Sequence, residues 1–422
     1  MTFLVLYGEM RPLRILHVAP YYGEAWAYGG IPRLATTLCR ELARRGHQVT
    51  VCTTDARDAD RRLPHPAAPP GGGRSLRRWP PLQTPEGIEL RVFPNVSNAL
   101  AYRLGLFLPL GLRPYLRARA GTFDIAHLHA CHHLLGAAAA RHLTRAGIPY
   151  VLAPNGTAPR LERRRLGKWV FDVTLGREVL PGAASVLAVT ETERAQLAGL
   201  GVSPAAIRVV PNPVDLTEFD DPPPRGRFRA RLRLDARRLG KLTPRKRVDV
   251  LLRAVAALAR EDASLVIAGN DLRAGPALRR LTRDLGLASV TVFTGLLEGR
   301  ERLELLADAD LVAYPGEHEI FGLVPLEALL SGTPVVVADD SGCGEVIRRT
   351  GGGTVVPRGD PVALAEAIRR MIEPGGVWRD AAREAGRCVR RLYGGDTVAA
   401  EIERLYQDLL AAAGPGPGHA AA

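Results

Sequence analysis

Residues 309–340, ADLVAYPGEHEIFGLVPLEALLSGTPVVVADD, place a helical segment between two short apolar runs. Each apolar run is typical of a buried strand. Because proline is tolerated in the first turn of a helix, Pro325 predicts a helix that begins near Leu323. The stretch therefore predicts a strand, a helix and a second strand parallel to the first.

The same alternation extends along most of the chain. The further apolar runs are RILHVAP, QVTVCTT, FDIAHLHA, PYVLAPNG and ASVLAVT in the first half, and SLVIAGN, VTVFTG and GGTVVP in the second. Residues 56–86 interrupt the pattern with proline, glycine and arginine, which predicts a mobile surface excursion. The alternation predicts an α/β fold with two doubly wound, Rossmann-like domains that face a cleft.

The length of the chain supports two domains, since 422 residues are too many for one ordinary core. A proline-rich, charged stretch beginning at residue 220 indicates a junction between them. We assign residues 1–210 to the first domain and 211–394 to the second. We expect the helix at 395–413 to pack back on the first domain and residues 414–422 to form a frayed tail.

The composition predicts a cytoplasmic protein. No apolar run approaches the roughly 20 residues that a membrane-spanning helix needs. The opening MTFLVLYGEM lacks the cleavage site of a secretory signal, and Met10 is an alternative start. The cysteines are scattered without a C-x-x-C pair, which predicts reduced thiols. They are Cys39, Cys52, Cys131, Cys343 and Cys388.

The net charge of +13 raises the question of an anionic partner. Of the 57 basic residues only Lys168, Lys241 and Lys246 are lysine, and the arginines are dispersed along the whole chain. Aromatic residues make up 5% of the chain, too few for the stacking platforms of nucleic-acid binding. We therefore expect no nucleic-acid partner, whereas an anionic membrane surface is a possible one.

The helix that begins near Leu323 predicts an anion site. The backbone N–H groups of Gly322, Leu323 and Val324 have no partner within the helix and lie at its positive end. Glu319 and Glu327 flank that end. Because a carboxylate repels a phosphate, these acids are better suited to binding hydroxyls. The pattern predicts a ligand with phosphate and sugar hydroxyls, and the alternative is a pair of surface acids that stabilise the helix dipole.

Several segments, in this order, resemble the retaining glycosyltransferases of the two-domain GT-B fold, group 1 or glycogen-synthase-like. EIFGLVPLEALLSGTPVV resembles their E-x7-E signature. The others are GGIPRLATTLCRELARRGHQVTV, similar to the glycine loop and first helix, FDIAHLHA, similar to the middle strand, VVPNPVDLTEF, similar to the hinge, and LTPRKRVDVLLRA, similar to the phosphate-binding segment.

The resemblance implies roles for the residues around the second domain's helix. It implies that Glu327 binds the ribose of a nucleotide and that Glu319 contacts hydroxyls of the transferred sugar. The backbone amides after Phe321, those of Gly322, Leu323 and Val324, are implied to contact the sugar or the diphosphate.

It also implies residues that bind the diphosphate. Lys241 and Lys246 match the basic pair that neutralises this leaving group, and two of the chain's three lysines lie within this short loop. The alternative for the two lysines is a solvated turn. Gly29 and Gly30 match the glycine loop of the first domain, where a side chain would obstruct the approach of the backbone.

The reaction implied is transfer of a hexose, with retention, from a nucleotide diphosphate sugar to an acceptor on the first domain. The acceptor implied is a glycan or glycolipid, lipid-linked or polysaccharide. No cofactor besides this donor substrate and no metal is implied, since lysines neutralise the leaving group. The ADD at 338–340 is interpreted as the end of a strand.

The chain departs from the family pattern at three places. Asn155 stands where many relatives have a histidine near the reacting sugar, and an amide cannot transfer a proton near neutral pH. Pro213 replaces the usual hinge glycine and is expected to stiffen the linker. The apolar strand before Lys241, expected at the centre of the second sheet, is unusually short.

Two segments and the function itself leave alternatives open. HLHACHH places His127, His129 and Cys131 on one face of a strand, which is compatible with a metal site or with family histidines that bind none. Residues 99–120 are either an interfacial segment or a core helix. The rival functions are a catalytically impaired, nucleotide-binding or membrane-associated paralogue and a hydrolase or epimerase of nucleotide sugars.

Overall fold

The computed structural model divides into two compact units. Unit 1 comprises Met1–Ala188, Leu197–Val210 and Ala399–Ala422, and unit 2 comprises Val189–Gln196 and Pro211–Val398. The residues that the structure describes are 11–65, 79–159, 165–232, 239–240, 246–258, 264–269, 274–340, 342–373 and 377–413.

The strands follow the apolar runs of the sequence. Those of unit 1 are β1 (Arg14–Val18), β2 (Gln48–Thr54), β3 (Leu82–Gln83), β4 (Glu89–Phe93), β5 (Ile125–His129), β6 (Tyr150–Ala153), β7 (Ser185–Ala188) and β8 (Ile207–Val209). Those of unit 2 are β9 (Leu239–Gly240), β10 (Leu265–Ala268), β11 (Thr291–Gly295), β12 (Val312–Tyr314), β13 (Val335–Asp339) and β14 (Gly353–Pro357).

Helices connect most of these strands. They are α1 (Ile31–Arg44), α2 (Asn98–Leu104), α3 (Leu112–Arg119), α4 (Leu134–Arg145), α5 (Arg165–Val173), α6 (Glu191–Gly199), α7 (Arg227–Leu232), α8 (Val248–Leu258), α9 (Gly275–Asp284), α10 (Gly299–Asp308), α11 (Leu323–Leu330), α12 (Gly342–Thr350), α13 (Pro361–Ile372), α14 (Val377–Tyr393) and α15 (Gly395–Ala413).

The described part of unit 1 is built on an eight-stranded sheet with the order β3-β4-β2-β1-β5-β6-β7-β8. All neighbouring strands are parallel except β3 and β4. The order reverses between β1 and β5, and this is the point where ligands of doubly wound folds bind. The strands β1 and β5 are almost wholly buried, as parallel strands covered on both faces should be.

Unit 2 has a six-stranded parallel sheet with the order β11-β10-β9-β12-β13-β14. Its order reverses between β9 and β12. The strand β9 lies at the centre of the sheet, where the sequence places the strand before Lys241. The residues on both sides of Leu239–Gly240 lie outside the described part of the chain, so the shortness of this strand stays a prediction. Two apolar clusters cover the sheet, one containing Val312, Leu326 and Val335, the other Leu265, Val336 and Leu364.

The α/β fold predicted from the sequence is therefore confirmed for both units, although the prediction for residues 56–86 was incomplete. Residues 66–78 lie outside the described part of the chain. On either side of them, His65 stacks on Trp79 with ring centroids 4.5 Å apart, and β3 extends the sheet as an antiparallel edge strand. The described flanks of this excursion thus pack against the sheet.

Residues 99–120 were expected to be either an interfacial segment or a core helix, and the two helices in this range differ. In α3, Leu112, Tyr115 and Leu116 are buried in the core of unit 1, as expected of a core helix. In α2 and the residue pair after it, Leu104 and Leu106 are exposed. The alternative of a core helix therefore holds for α3 and not for α2.

Three histidines stack at the centre of the unit 1 sheet. His17 of β1 and His129 of β5 share a hydrogen bond of 3.0 Å between Nδ1 and Nε2, and the rings of His127 and His129 lie 4.5 Å apart. His127 Nδ1 forms a hydrogen bond of 2.6 Å with the hydroxyl of Tyr406 on α15. Ala130 leaves the strand with φ of 64°, so Cys131 does not continue the face of His127 and His129.

Burial keeps these rings neutral. It lowers the pKa of His129 to about 3, and it lowers the pKa values of His17 and His127 well below the ordinary value because a charged imidazole cannot be hydrated there. His133, which accepts a hydrogen bond from Gly136 N at the start of α4, has its pKa lowered to about 4 by burial. The folded sheet therefore stays uncharged at this point at neutral pH.

We expect the free energy of unfolding to fall as the pH is lowered from 7 to 5. The unfolded chain binds protons on its histidines near pH 6.5, whereas the folded chain binds them only well below that value. The stabilisation is complete above pH 6.5 and is lost as the pH falls through the range below it. Each such histidine contributes a slope of about 1.4 kcal/mol per pH unit. Urea unfolding at pH 5, 6 and 7 measures the effect.

A His17→Asn variant separates the histidine stack from the other titrating groups. The asparagine amide replaces Nδ1 of His17 opposite His129 but does not titrate. We expect the variant to lose less stability than the native chain between pH 7 and pH 5. Equal losses in the two proteins would contradict the prediction.

Candidate active site

The two loops that carry the predicted donor-binding residues leave the unit 2 sheet at its switch point. Lys246 follows β9, and Glu319 follows β12, the neighbouring strand. Because both strands are parallel, both loops leave the same edge of the sheet. The structure thus brings together Lys246 and Glu319, which the family resemblance assigns to one donor site. Lys241 lies outside the described residues.

Lys246, Tyr314 and Glu319 form a buried cluster, in which Lys246 and Glu319 are each 8% exposed. Lys246 Nζ donates to Glu319 Oε1 and to the Tyr314 hydroxyl. The Tyr314 hydroxyl donates to Glu319 Oε2 at 3.0 Å. The ammonium group also lies 4.4 Å from the centroid of the Tyr314 ring, within range of a cation–π interaction. One cation and one carboxylate are therefore oriented by a shared phenol.

Strained backbone lies next to both charged residues. Arg247 has φ of 47° and His318 has φ of 56°, in the left-handed region that non-glycine residues rarely adopt. Arg247 pairs with Glu317, and the His318 N–H donates to Asp340. Such strain costs of order 1–3 kcal/mol per residue and is concentrated at functional sites. These side-chain contacts hold both loops in position.

The start of α11 has the geometry expected from the sequence. The helix begins at Leu323 after Gly322, which has φ of 79°, and a Cβ on Gly322 would lie 2.5 Å from Cys343 Sγ. Glycine is therefore required here on two grounds. The side chain of Phe321 is buried against Tyr393, with ring centroids 5.3 Å apart, so only its backbone is placed to contribute to a site. Leu323 and Val324 pack partly on the same core.

Glu327 is 2% exposed and forms an ion pair with Arg302. Arg302 also donates to Glu218 Oε2. The sequence did not identify Arg302 or Tyr314 as site residues. Arg302 lies in α10 and Tyr314 is the last residue of β12, and no local pattern marks either position as functional. Arg302 compensates the charge of Glu327 inside the unit, where an unpaired carboxylate would be costly. The alternative of two surface acids is wrong, since both Glu319 and Glu327 are buried.

The glycine loop of unit 1 lies between β1 and α1. Gly29 has φ of 103°, and Gly30 is the N-terminal cap of α1 with φ of −81° and ψ of −27°. No described atom lies within 4 Å of the position that a Cβ on Gly29 would occupy. The backbone thus requires glycine at position 29, whereas Gly30 has ordinary right-handed helical geometry that other residues adopt.

Asn155 follows β6 and also has a positive φ, 51°. Its Nδ2 donates to the Ala153 carbonyl at 3.2 Å, and its Oδ1 is buried without a hydrogen-bond partner among the described residues. The neighbouring Thr157 Oγ1 accepts from Cys131 N at 2.7 Å, and His132 Nδ1 lies 2.9 Å from the Thr157 carbonyl. Hydrogen bonds thus join the loops after β5 and β6. Both loops follow the carboxyl ends of their strands, next to the point between β1 and β5 where the strand order reverses.

The histidines at 127–133 do not form a metal site in the structure. The rings of His127 and His129 are stacked face to face, and within the described ranges no three His, Cys, Asp or Glu side chains are placed to hold a metal ion. Ala338 and Asp339 are the last residues of β13, so the interpretation of 338–340 as a strand end is confirmed. The five cysteines are free thiols, and burial raises the pKa of Cys343.

Two family models match the chain. Residues 238–387 match the model described as "Glycosyl transferases group 1", and residues 28–218 match "Glycosyltransferase Family 4". A D-inositol 3-phosphate glycosyltransferase from Kineococcus radiotolerans is 30% identical over 443 residues, covering 94% of this chain and 95% of the relative.

Several solved structures share the fold. The sucrose-phosphate synthase of Thermosynechococcus elongatus has a TM-score of 0.74 at 22% identity, covering 94% of this chain and 99% of that one. HepE from Anabaena, in complex with UDP and glucose, has a TM-score of 0.70 at 19% identity, covering 94% of this chain and all of that one.

The two acids of the E-x7-E stretch, Glu319 and Glu327, are buried and charge-paired in unit 2. The two family models cover most of both units, and a 30% identical relative spans nearly the whole chain. This chain therefore belongs to the group 1 glycosyltransferases and has the GT-B fold.

Proposed function

We propose that this glycosyltransferase moves a hexose, with retention of configuration, from a nucleotide diphosphate sugar to a glycan or glycolipid acceptor and needs no metal ion. The observation that carries the proposal is the placement of Lys246. Its ammonium group is held by Tyr314 and by Glu319, which lies in the loop that leads to the start of α11. A fixed cation and a helix N-terminus at one sheet edge suit a diphosphate.

The chemistry follows from charge. The bond between the anomeric carbon and the diphosphate oxygen breaks, and its electron pair leaves with the diphosphate. Lys246 and the amides of Gly322, Leu323 and Val324 stabilise that negative charge, and one such group is commonly worth about 3 kcal/mol. The acceptor hydroxyl attacks from the face that the diphosphate leaves, and its proton passes to the departing phosphate oxygen. This order of events retains the configuration.

Two acids have roles that require no proton transfer. We assign Glu319 to hydroxyls of the transferred sugar and Glu327 to the ribose of the nucleotide. Glu319 is well suited because Tyr314 and Lys246 fix its carboxylate, so it is oriented before a sugar binds. Lys241 is assigned to the diphosphate together with Lys246.

Unit 1 is assigned to the acceptor, with Gly29 and Gly30 approaching the diphosphate. Asn155 is assigned to hydrogen bonding near the reacting sugar. Its strained backbone and its Oδ1 without a described partner support a ligand-binding role. Since an amide does not titrate, we expect no proton transfer by this side chain.

The comparisons narrow the first substrates to be tested. HepE holds UDP and glucose, so UDP-glucose is the first donor. The acceptor class is tested with a polyprenyl-linked sugar against D-inositol 3-phosphate, the acceptor in the name of the Kineococcus relative. A cytoplasmic enzyme at the inner face of a membrane would meet lipid-linked acceptors, and a net charge of +13 suits either anionic compound.

Calorimetric titration with UDP, GDP and ADP, in buffer containing EDTA, tests the donor site. We expect one nucleotide to bind without metal. We expect Lys246→Ala to weaken the affinity for that nucleotide at least about thirtyfold, because the buried charge pair between the Lys246 ammonium group and the diphosphate is lost. Arg253→Ala is the matched control, since it removes one positive charge from an exposed position on α8. Equal effects of the two substitutions would contradict the role of Lys246.

The same proteins distinguish the rival functions. The configuration of the product, read by NMR, shows retention or inversion. Free hexose as the main product in the presence of acceptor would favour a hydrolase. Absence of both nucleotide binding and transfer would favour the impaired paralogue, for which the short apolar run before Lys241 in the sequence and Asn155 are the motivating features.

Tyr314→Phe tests the positioning of the cluster. The substitution removes the hydroxyl that orients both Lys246 and Glu319 but leaves the ring beneath the ammonium group. We expect kcat to fall roughly tenfold, the loss of about 1.4 kcal/mol typical of one hydrogen bond to a charged group, with a smaller change in KM. Tyr393→Phe, which removes a hydroxyl elsewhere in unit 2, should leave both constants within about twofold.

A further inference from the structure

The helix α5 of unit 1 exposes its apolar face. Four apolar side chains recur on this face at positions i, i+3, i+4 and i+7. They are Leu166, Trp169, Val170 and Val173, which are 73%, 47%, 45% and 49% exposed. Single exposed apolar residues are ordinary, but a face of four residues that includes tryptophan marks an interaction surface.

The opposite face of α5 contacts the protein mainly through polar groups. Lys168 Nζ donates to the Pro159 carbonyl at 3.0 Å, and the Asp172 carboxylate lies 2.9 Å from His132 Nε2. The ring of Phe171 meets the edge of His132. A surface helix ordinarily buries its apolar stripe and exposes its charges, so α5 has the inverse orientation. These polar contacts hold the apolar face outward.

The exposed face has the composition of a segment that lies on a membrane. Tryptophan is enriched where hydrocarbon meets headgroups, because its ring is apolar and its N–H is polar. The exposed apolar surface continues beyond the helix with Leu175, which is 57% exposed. None of the described helices is long and apolar enough to cross a membrane. The 9 residues of α5 are too few to span a bilayer, so on a membrane this helix would lie in the plane of the interface.

The charge of the chain favours an anionic surface, since its net charge is +13. Among the described residues, the two acids in or next to α5 both have partners. Asp172 lies 2.9 Å from His132 Nε2, and Glu178 forms an ion pair of 3.7 Å with Arg177. The Arg177 side chain is 70% exposed.

We propose that α5 is the surface by which this enzyme docks on an anionic membrane, with Trp169 and Val173 in the boundary between headgroups and acyl chains. The inference names the membrane partner of the proposed function and rests on that function only for the identity of the acceptor. His132 joins α5, through Asp172, to Thr157 and so to the loop of Asn155. Docking therefore places the loops after β5 and β6 near the membrane surface.

Sedimentation with sucrose-loaded vesicles tests the proposal on the full chain. The vesicles are phosphatidylcholine alone or phosphatidylcholine with 30% phosphatidylglycerol, at 50 mM and 300 mM salt. We expect binding to the anionic vesicles at low salt, and a loss of at least several-fold at high salt, since surface charges are screened. Binding to neutral vesicles should be at least tenfold weaker.

Two matched substitutions locate the surface. Val173→Glu adds a charge to the exposed face of α5, and Val362→Glu adds the same charge to an exposed valine of unit 2. We expect Val173→Glu to weaken partitioning at least tenfold and Val362→Glu to change it less than twofold. Trp169→Ser, which adds no charge, should also weaken partitioning several-fold and serves if Val173→Glu does not fold.

Three results would overturn the proposal. The first is equal partitioning of Val173→Glu and Val362→Glu. The second is loss of partitioning in Leu104→Glu, on the exposed part of α2, while Val173→Glu still binds. The third is a lipid-free dimer, seen by analytical ultracentrifugation, that Val173→Glu dissociates, because that result would assign the face to a second copy of the chain.

Nucleotide binding keeps this test independent of the proposed function. Val173→Glu should retain the calorimetric affinity of the native chain for UDP, since α5 belongs to unit 1 and the Lys246 cluster to unit 2. A chain that binds vesicles through α5 but binds no nucleotide would retain this inference and overturn the proposed transfer. A chain that binds UDP but no vesicles would overturn this inference and leave the proposed transfer in place.

Discussion

The buried ion pair of Lys246 and Glu319 is the constraint on which the donor site of unit 2 depends. Removing two charges from water is costly, and a buried pair often adds little to stability. The fold nevertheless holds this pair with Tyr314 and with strained backbone at Arg247 and His318. Stability alone would favour apolar residues at this place. A cluster retained against that preference is best explained by what it binds.

The position of the cluster follows from the order of the strands. In a parallel sheet, loops on either side of a switch point diverge and leave room between them. In unit 2 this point lies between β9 and β12, and in unit 1 between β1 and β5. Unit 1 has strained, hydrogen-bonded loops at the same kind of edge, at Ala130, His132 and Asn155. Both units therefore have strained loops next to the switch point of their sheet, although the side chains in these loops differ.

The sequence predicted the elements of the fold well because each strand is a short run of apolar residues bounded by glycine, proline or polar residues. Through the family resemblance it also assigned Lys246 and Glu319 to one donor site, but it did not predict the ion pair between them. It could not predict Tyr314 as the residue that joins them, because the terminal residue of a buried strand is commonly aromatic. Arg302 was missed for a related reason, since its pairing with Glu327 links two different helices, α10 and α11.

The contacts of the stacked histidines also could not be predicted from the sequence. Alternation placed His127 and His129 on one face of β5, but the partner ring of His17 comes from β1, and Tyr406 comes from α15 at the other end of the chain. No local pattern contains such contacts. Since α15 contributes a polar partner to the central strands of unit 1, the last helix is part of the support beneath the loops after β5. The strand that leads to the loop of His132 is therefore supported by a residue 279 positions away from His127.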